Sequence, residues 1–328
     1  MPNDSKHLTA SKVKKDDEYY TLYEDIANEI PNYKDQLRGK RIICPCDWDE
    51  SLDEICVYAS EEYVTGSSLF GGGTIKTIDT YRTEKHIEKD INLIKCNFVK
   101  FLVSHADDYG IKSISVSGYN PATDEGVRFQ DIDYSKYDIA ITNPPFSAFT
   151  EFIDVMHENN MKFLVIGPQN AIKYKAVFPH LMNNDMWLGY HYHLAGFIRP
   201  DGSRVKKQDN LARSCCWFTN LDVKYRHNNL MLDVEYDPVQ NPHYINCDAI
   251  DVNRSKLIPC DYNGVMGVPI TFMQVYNPNQ FEIVGITETL KAIDKNIKGG
   301  APYIMVDGKP KRLYTRILIK KREIKTNE

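Results

Sequence analysis

The stretch Asp138-Ile139-Ala140-Ile141-Thr142-Asn143-Pro144-Pro145-Phe146-Ser147 decides how this chain is read. Its first half is a short apolar run rich in isoleucine, as expected of a strand buried on both faces. Its second half stops that strand abruptly, because neither proline can donate to a ladder. Beyond the turn, Phe149, Phe152, Ile153 and Met156 recur at helical spacing. Similar strand-like runs lie on both sides: Arg41-Ile42-Ile43-Cys44, residues 111–116 and residues 162–166. Ahead of the second of these, Phe98, Phe101, Leu102 and His105 again keep helical spacing. Strand alternating with helix predicts an α/β fold with a doubly wound, mostly parallel, Rossmann-like sheet. Ligands of such sheets bind beyond the carboxyl ends of strands, so Asn143 to Phe146 stand where a site is expected.

Two segments break the rhythm. Residues 52–96 read as a flexible inserted loop; their run Gly66-Ser67-Ser68-Leu69-Phe70-Gly71-Gly72-Gly73 lacks the Gly-Lys-Ser/Thr of a phosphate loop. From about residue 223 the alternation fades and Pro, Asn and Tyr become frequent. There a hairpin is predicted, with strands over Tyr303 to Val306 and 313–319 around a turn at Asp307-Gly308. The expected organisation is a catalytic domain over 1–222, carrying the insertion, and an α+β recognition region over 223–328. Part of the latter, about 261–285, is a candidate to pack back on the first domain.

Of the 328 residues, 42% are hydrophobic and 26% charged, which fits a folded globular chain. No apolar run approaches the roughly 20 residues that span a bilayer, and the polar opening lacks the apolar centre of a signal peptide. A cytoplasmic chain without a membrane partner is therefore expected. The eight cysteines are irregularly spaced, and Cys44 and Cys46 would face opposite ways on a strand, so no metal site is expected. The net charge of −5 weighs against a nucleic-acid partner only as a surface average; clustering of the basic residues matters more.

The tetrapeptide has a specific chemistry. An amino group on a nucleobase is a poor nucleophile because its lone pair is delocalised into the ring. The side-chain oxygen of Asn143 and the carbonyl of Pro144 can each accept one amino hydrogen and stabilise the charge that develops on nitrogen. Consecutive prolines, Pro144 and Pro145, hold both acceptors in place beforehand. Phe146 offers a flat face on which an extruded base can stack.

With these residues in view, the sequence resembles the EcoRI-type adenine-specific (N6) DNA methyltransferases, in the same order over most of its length. The resemblance is carried by Asp17-Glu18-Tyr19-Tyr20-Thr21, Cys44-Pro45-Cys46-Asp47, Asn143-Pro144-Pro145-Phe146 and Phe163-Leu164-Val165-Ile166. It continues through Cys216-Trp217-Phe218-Thr219-Asn220-Leu221-Asp222, the segment from Asp261 to Phe272, and Tyr314-Thr315-Arg316-Ile317-Leu318-Ile319. It implies a seven-stranded-type methyltransferase sheet, S-adenosylmethionine as cofactor without a metal, and base flipping in duplex DNA. It further implies that Tyr20 and Thr21 line the cofactor pocket, with Cys44, Pro45 and Asp47 at its first turn. Asp47 would lie beside the methionine moiety, with Asp49 competing for that role. Ser117 and Tyr119 would lie near the ribose or adenine, and Asp131 would hydrogen-bond the cofactor's adenine. A monomer, as one half of a restriction-modification pair whose endonuclease acts on the same site, also fits the family.

Basic residues do cluster. Arg199, Arg204, Lys206, Lys207 and Arg213 surround Pro200-Asp201-Gly202, and Lys309, Lys311, Arg312 and Arg316 crowd the C-terminal hairpin. Both clusters are candidate DNA contacts. Tyr190, Tyr192 and Phe197 are candidates to hold the extruded base or fill its gap. Alternatives left open are methylation of an RNA adenine or a protein glutamine, and a catalytically silent DNA-binding regulator.

Overall fold

The structure, a computed structural model, describes residues 20–48, 50–54, 59–65, 72–78, 91–120, 123–199, 202–205 and 214–322. Two compact units emerge from them. One comprises the described parts of Met1–Gln169 and Gly189–Leu221; the other comprises those of Asn170–Leu188 and Asp222–Glu328.

The first unit is built on strands β1 (Tyr20–Thr21), β2 (Arg41–Cys44), β3 (Ala59–Thr65), β4 (Gly72–Ile78), β5 (Ser113–Val116), β6 (Ile139–Thr142), β7 (Lys162–Pro168), β8 (Phe197–Ile198), β9 (Arg204–Val205) and β10 (Cys215–Thr219). Its longer helices are α1 (Tyr23–Glu29), α2 (Asn97–Ser104) and α3 (Phe149–Glu158). Within the unit the main sheet runs β10-β7-β6-β2-β5-β4-β3. The predicted runs form its centre: β2 pairs in parallel with both β5 and β6, and β6 with β7. All four residues of β6 are buried, as its unbroken apolar sequence requires.

Three expectations change. The sheet is parallel only at its centre, because β4 and β10 join its flanks antiparallel. Segment 52–96 is not merely an inserted loop: β3 and β4 pair from Ala59↔Ile78 to Thr65↔Gly72 and extend the sheet beyond β5. Ile75 and Ile78 are buried there, which gives the strand an apolar reason to dock. Residues 55–58, 66–71 and 79–90 of that segment lie outside the described residues. Finally, no α-helix occurs among the described residues from 222 onward, so the C-terminal region is β with 3-10 turns rather than α+β.

The second unit contains β11 (Ile250–Asp251), β12 (Met266–Pro269), β13 (Phe281–Ile286), β14 (Tyr303–Val306), β15 (Lys309–Arg312) and β16 (Arg316–Lys321). Its sheet runs β11-β12-β16-β13, and β14-β15 form a separate ribbon. The turn at Asp307-Gly308 is present, with both residues in the left-handed region that a two-residue hairpin demands. That turn pairs Val306 with Lys309, so the return strand is 309–312 and not 313–319. The later residues belong to β16, whose Ile317 and Ile319 are fully buried in the four-stranded sheet.

Arg316 holds this sheet from inside. Its Nε donates to Asp251 Oδ1 at 3.0 Å, and the Tyr244 hydroxyl donates to the same oxygen at 2.6 Å. The two charged side chains are only 11% and 9% exposed. Removing one member of a buried pair strands the other. Arg316→Ala is expected to lower unfolding stability by about 3–5 kcal/mol, measured as a fall in the urea midpoint.

Candidate active site

The order of the central strands creates the site. The chain passes through β2, adds β5 on one side, then crosses back to lay β6 on the other. The connections therefore part beyond the carboxyl ends of β2 and β6 and leave a crevice at that switch point. Cys44-Pro45-Cys46-Asp47 leaves β2 into it, and Asn143-Pro144-Pro145-Phe146 leaves β6.

These two turns are joined directly. Thr142, the last residue of β6, donates its hydroxyl to Asp47 Oδ2 at 2.6 Å. The other carboxylate oxygen accepts from the Cys96 thiol at 3.5 Å. The backbone amides of Asp47 and Trp48 both donate to the Ser117 carbonyl, at 3.0 and 3.1 Å, and the Ser117 amide donates to the Cys44 carbonyl. Ser117 Oγ donates to the Pro45 carbonyl at 3.3 Å. Ser117 is thus fully buried and engaged in tying the β2 turn to the end of β5. Burial, reinforced by the Asp47 carboxylate, drives the Cys44 and Cys96 thiols well above their usual range, so both stay protonated.

On the β6 side, Pro144 is buried, Asn143 and Phe146 are half-buried, and Asn143 Oδ1 is screened from bulk solvent. Phe146 opens a 3-10 turn that runs straight into α3, with the Ala148 amide donating to the Pro145 carbonyl at 2.9 Å. Its ring meets Phe197 edge-on, with centroids 6.1 Å apart. Phe197 in turn pairs with Thr21 in the small sheet β1-β8-β9. Residues 20 and 21 are therefore brought to the Asn143–Phe146 turn by strand pairing. Thr21 is 3% exposed, and its hydroxyl makes no hydrogen bond among the described residues, whereas its carbonyl accepts from Asn97 Nδ2 at 2.8 Å. A buried orphan hydroxyl beside the crevice is suited to a bound polar ligand. The residues thus fit a polar cofactor.

The sequence profile of the family described as "Adenine-specific methyltransferase EcoRI" matches residues 7–64 and 128–322. The type II methyltransferase M.EcoRI of Escherichia coli is 34% identical over 327 residues, 94% of this chain and 98% of that protein. The chain belongs to the EcoRI family of adenine-specific methyltransferases. Similar proteins also include the type II methyltransferases M.MgeORF184P of Mycoplasma genitalium and M.MpnI of Mycoplasma pneumoniae. They are 29% and 27% identical, each over 97% of this chain and over 99% and 98% of their own lengths. No solved structure gives a significant match.

Other residues expected of this family member sit as follows. Tyr20 is exposed at the edge of the small sheet. Tyr119 donates its hydroxyl to Asp124 at 2.5 Å and accepts from Arg128, whose guanidinium lies 4.7 Å over its ring. Asp131 is half-buried at the end of the 3-10 turn Phe129–Asp131. Asp49 is not among the described residues.

Of the basic residues, Arg199 bonds back to Ser203, and Arg204 pairs with Glu24 of α1 at 2.5 Å. Lys206, Lys207 and Arg213 lie outside the described residues. Lys309, Lys311 and Arg312 are exposed on the ribbon. Arg316 is corrected: its guanidinium is buried against Asp251 and holds the sheet, so it is not presented to DNA. Tyr192 and Phe197 are buried and Tyr190 stands edge-on to Tyr33, so Phe197 backs Phe146 instead of meeting a base.

Sequence reasoning missed the clasp that holds Phe197. The segment 189–196 is stapled to α1 by two carboxylates. Glu29, fully buried, accepts from the Tyr33 hydroxyl, the amides of Tyr190 and His191, and His191 Nδ1, all at 2.7–2.9 Å. Asp25 accepts from the amides of Ala195 and Gly196 at 2.7 and 3.4 Å. Gly189 permits this approach: a Cβ there would lie 2.3 Å from Glu29 Oε1. In sequence these acids look like the solvated face of a short helix. The one available signal is their i,i+4 spacing, which puts both on the same face.

The clasp carries a pH dependence. The hydrogen bond from Glu29 raises the His191 pKa above its ordinary 6.5, opposed by partial burial. A raised folded pKa stabilises fully below the unfolded value and is lost as pH rises through the folded one. Urea titrations from about pH 6 upward should show native stability falling relative to His191→Ala, with the two converging at alkaline pH.

Proposed function

We propose that this chain is a site-specific DNA methyltransferase that transfers the methyl group of S-adenosylmethionine to N6 of an adenine extruded from duplex DNA. The observation that carries this reading is the pairing of Asn143-Pro144-Pro145-Phe146 with the Asp47 turn across one crevice, through the Thr142 hydroxyl. Family membership supports the acceptor.

The cofactor supplies an electrophilic methyl group, whose bond to sulfur breaks as the bond to nitrogen forms and whose electron pair stays on sulfur. Attack on a sulfonium carbon needs no metal. Asn143 Oδ1 and the Pro144 carbonyl accept the two amino hydrogens. The nitrogen lone pair is thereby turned toward the donor, the charge that develops is stabilised, and one amino proton is then lost to solvent to leave the neutral methylamino group. Phe146 stacks on the purine, with Phe197 behind it fixing its tilt. Asp47, Thr21 and Tyr20 hold the cofactor, with Tyr119 and Asp131 toward its adenosine end. Arg199 and the ribbon lysines meet phosphates or base edges of the duplex. The chain acts as a monomer, and any cognate endonuclease acts on the same DNA site without touching it.

Asn143→Ala is expected to cut methyl transfer by at least about 100-fold while duplex binding persists. Labelled-cofactor assays on duplex DNA, RNA and protein acceptors check both points, and labelling confined to RNA or protein would overturn the reading. Thr142→Val, which keeps shape but removes the donor, should weaken cofactor binding by about tenfold in calorimetry, with Thr142→Ser restoring it.

A further inference from the structure

The ribbon β14-β15 has a fixed root and a bare tip. At the root, Tyr303 is 5% exposed and packs with Ile297 and Ala301. Its amide donates to Asn246 Oδ1 at 3.0 Å and its carbonyl accepts from the Ile245 amide at 2.7 Å. Beyond it, every residue from Met305 to Arg312 is exposed. Antiparallel pairing puts Val306, Lys309, Ile304 and Lys311 on one face, with Met305, Pro310 and Arg312 on the other. Cations and apolar side chains are therefore interleaved in solvent on a narrow two-stranded element.

Tyr314 completes this surface. It leaves the ribbon immediately after β15 and is 89% exposed, the most solvated of the large hydrophobic side chains among the described residues. Its backbone, by contrast, is held firmly. Its carbonyl accepts from Arg316 Nη1 at 3.2 Å, Thr315 Oγ1 donates to Glu288 at 2.9 Å, and the Arg316 amide donates to Thr287 Oγ1 at 2.8 Å. Arg316 is itself locked to Asp251. Single exposed apolar residues are ordinary on protein surfaces. A ring on a rigid support, two residues after a ribbon strand that carries three exposed cations, is a different arrangement. It has no packing role in the fold, and its neighbours suit a polyanion with flat apolar faces.

We infer that the ribbon and Tyr314 together dock on duplex DNA, with Tyr314 stacking on, or wedging beside, a base while Lys309, Lys311 and Arg312 meet phosphates and base edges. The inference rests on the reading that this chain acts on duplex DNA. A two-stranded ribbon fits the width of the major groove, and apolar or aromatic wedges between base steps recur where proteins deform the duplex. Rigid support lowers the ordering cost of such a contact, since the backbone of Tyr314 is already fixed.

Stacking and phosphate contacts leave different signatures. Neutralising a phosphate contact lowers the slope of log affinity against log salt, whereas losing a stacked ring weakens binding at every salt concentration alike. The test uses the full chain and a fluorescent duplex bearing the motif mapped by modification sequencing of DNA from cells that express it. Tyr314→Ala is expected to weaken binding by about 5- to 100-fold with the salt slope unchanged, and Tyr314→Phe to bind as the native chain does. Lys309→Ala with Lys311→Ala should flatten the slope by about one to two. Native affinity in Tyr314→Ala would overturn the inference alone. Failure of the unaltered chain to bind the duplex would overturn the functional reading, and this inference with it.

Discussion

A single hydrogen bond, from Thr142 to Asp47, spans the crevice on which this molecule is organised. It works because β2 and β6 lie side by side in parallel, so both strands deliver their carboxyl ends to the same edge. Asp47 is held from three directions: Thr142 on one oxygen, Cys96 on the other, and its own amide on Ser117. A carboxylate so restrained is held in one geometry. Thr142 immediately precedes Asn143, so the same bond fixes where the Asn143–Phe146 turn begins. The two turns are thereby coupled through one side chain.

A second layer of restraint comes from α1, a helix of only seven residues. Glu29 is a buried charge, which is costly in isolation, but it accepts four hydrogen bonds and leaves no lone-pair direction wasted. Breaking such a network by deleting one partner costs more than the network contributes net. What it secures is a conformation: the path of residues 189–197, and with it the ring of Phe197 behind Phe146. The short strands β1, β8 and β9 then carry Thr21 into the same neighbourhood. The packing of Phe197 against Phe146 therefore depends on two carboxylates of α1.

Charge is distributed as the proposed partner requires, although the net value of −5 does not suggest it. Two cations of the basic clusters are neutralised locally, Arg204 by Glu24 and Arg316 by Asp251. The exposed ribbon cations remain, interleaved with apolar residues. A basic cluster in sequence thus contains two kinds of residue, internal struts and surface contacts. Linear spacing cannot separate them, because burial of Arg316 depends on β11 and on Tyr244, both more than sixty positions upstream.

Sequence alone determined the central strands, the Pro-Pro turn that ends one of them and the two-residue hairpin turn. Each follows from local periodicity or from the fixed backbone of proline and glycine, which need no distant partner to act. Tertiary structure decided the rest. The β3–β4 extension, the return strand at 309–312, the burial of Arg316 and the clasp by Glu29 and Asp25 all depend on which distant segments meet. The amides that satisfy those two acids lie 161 to 171 positions away along the chain. A charged residue reads as solvated until the fold supplies its donors, and only the assembled unit reveals that it has them.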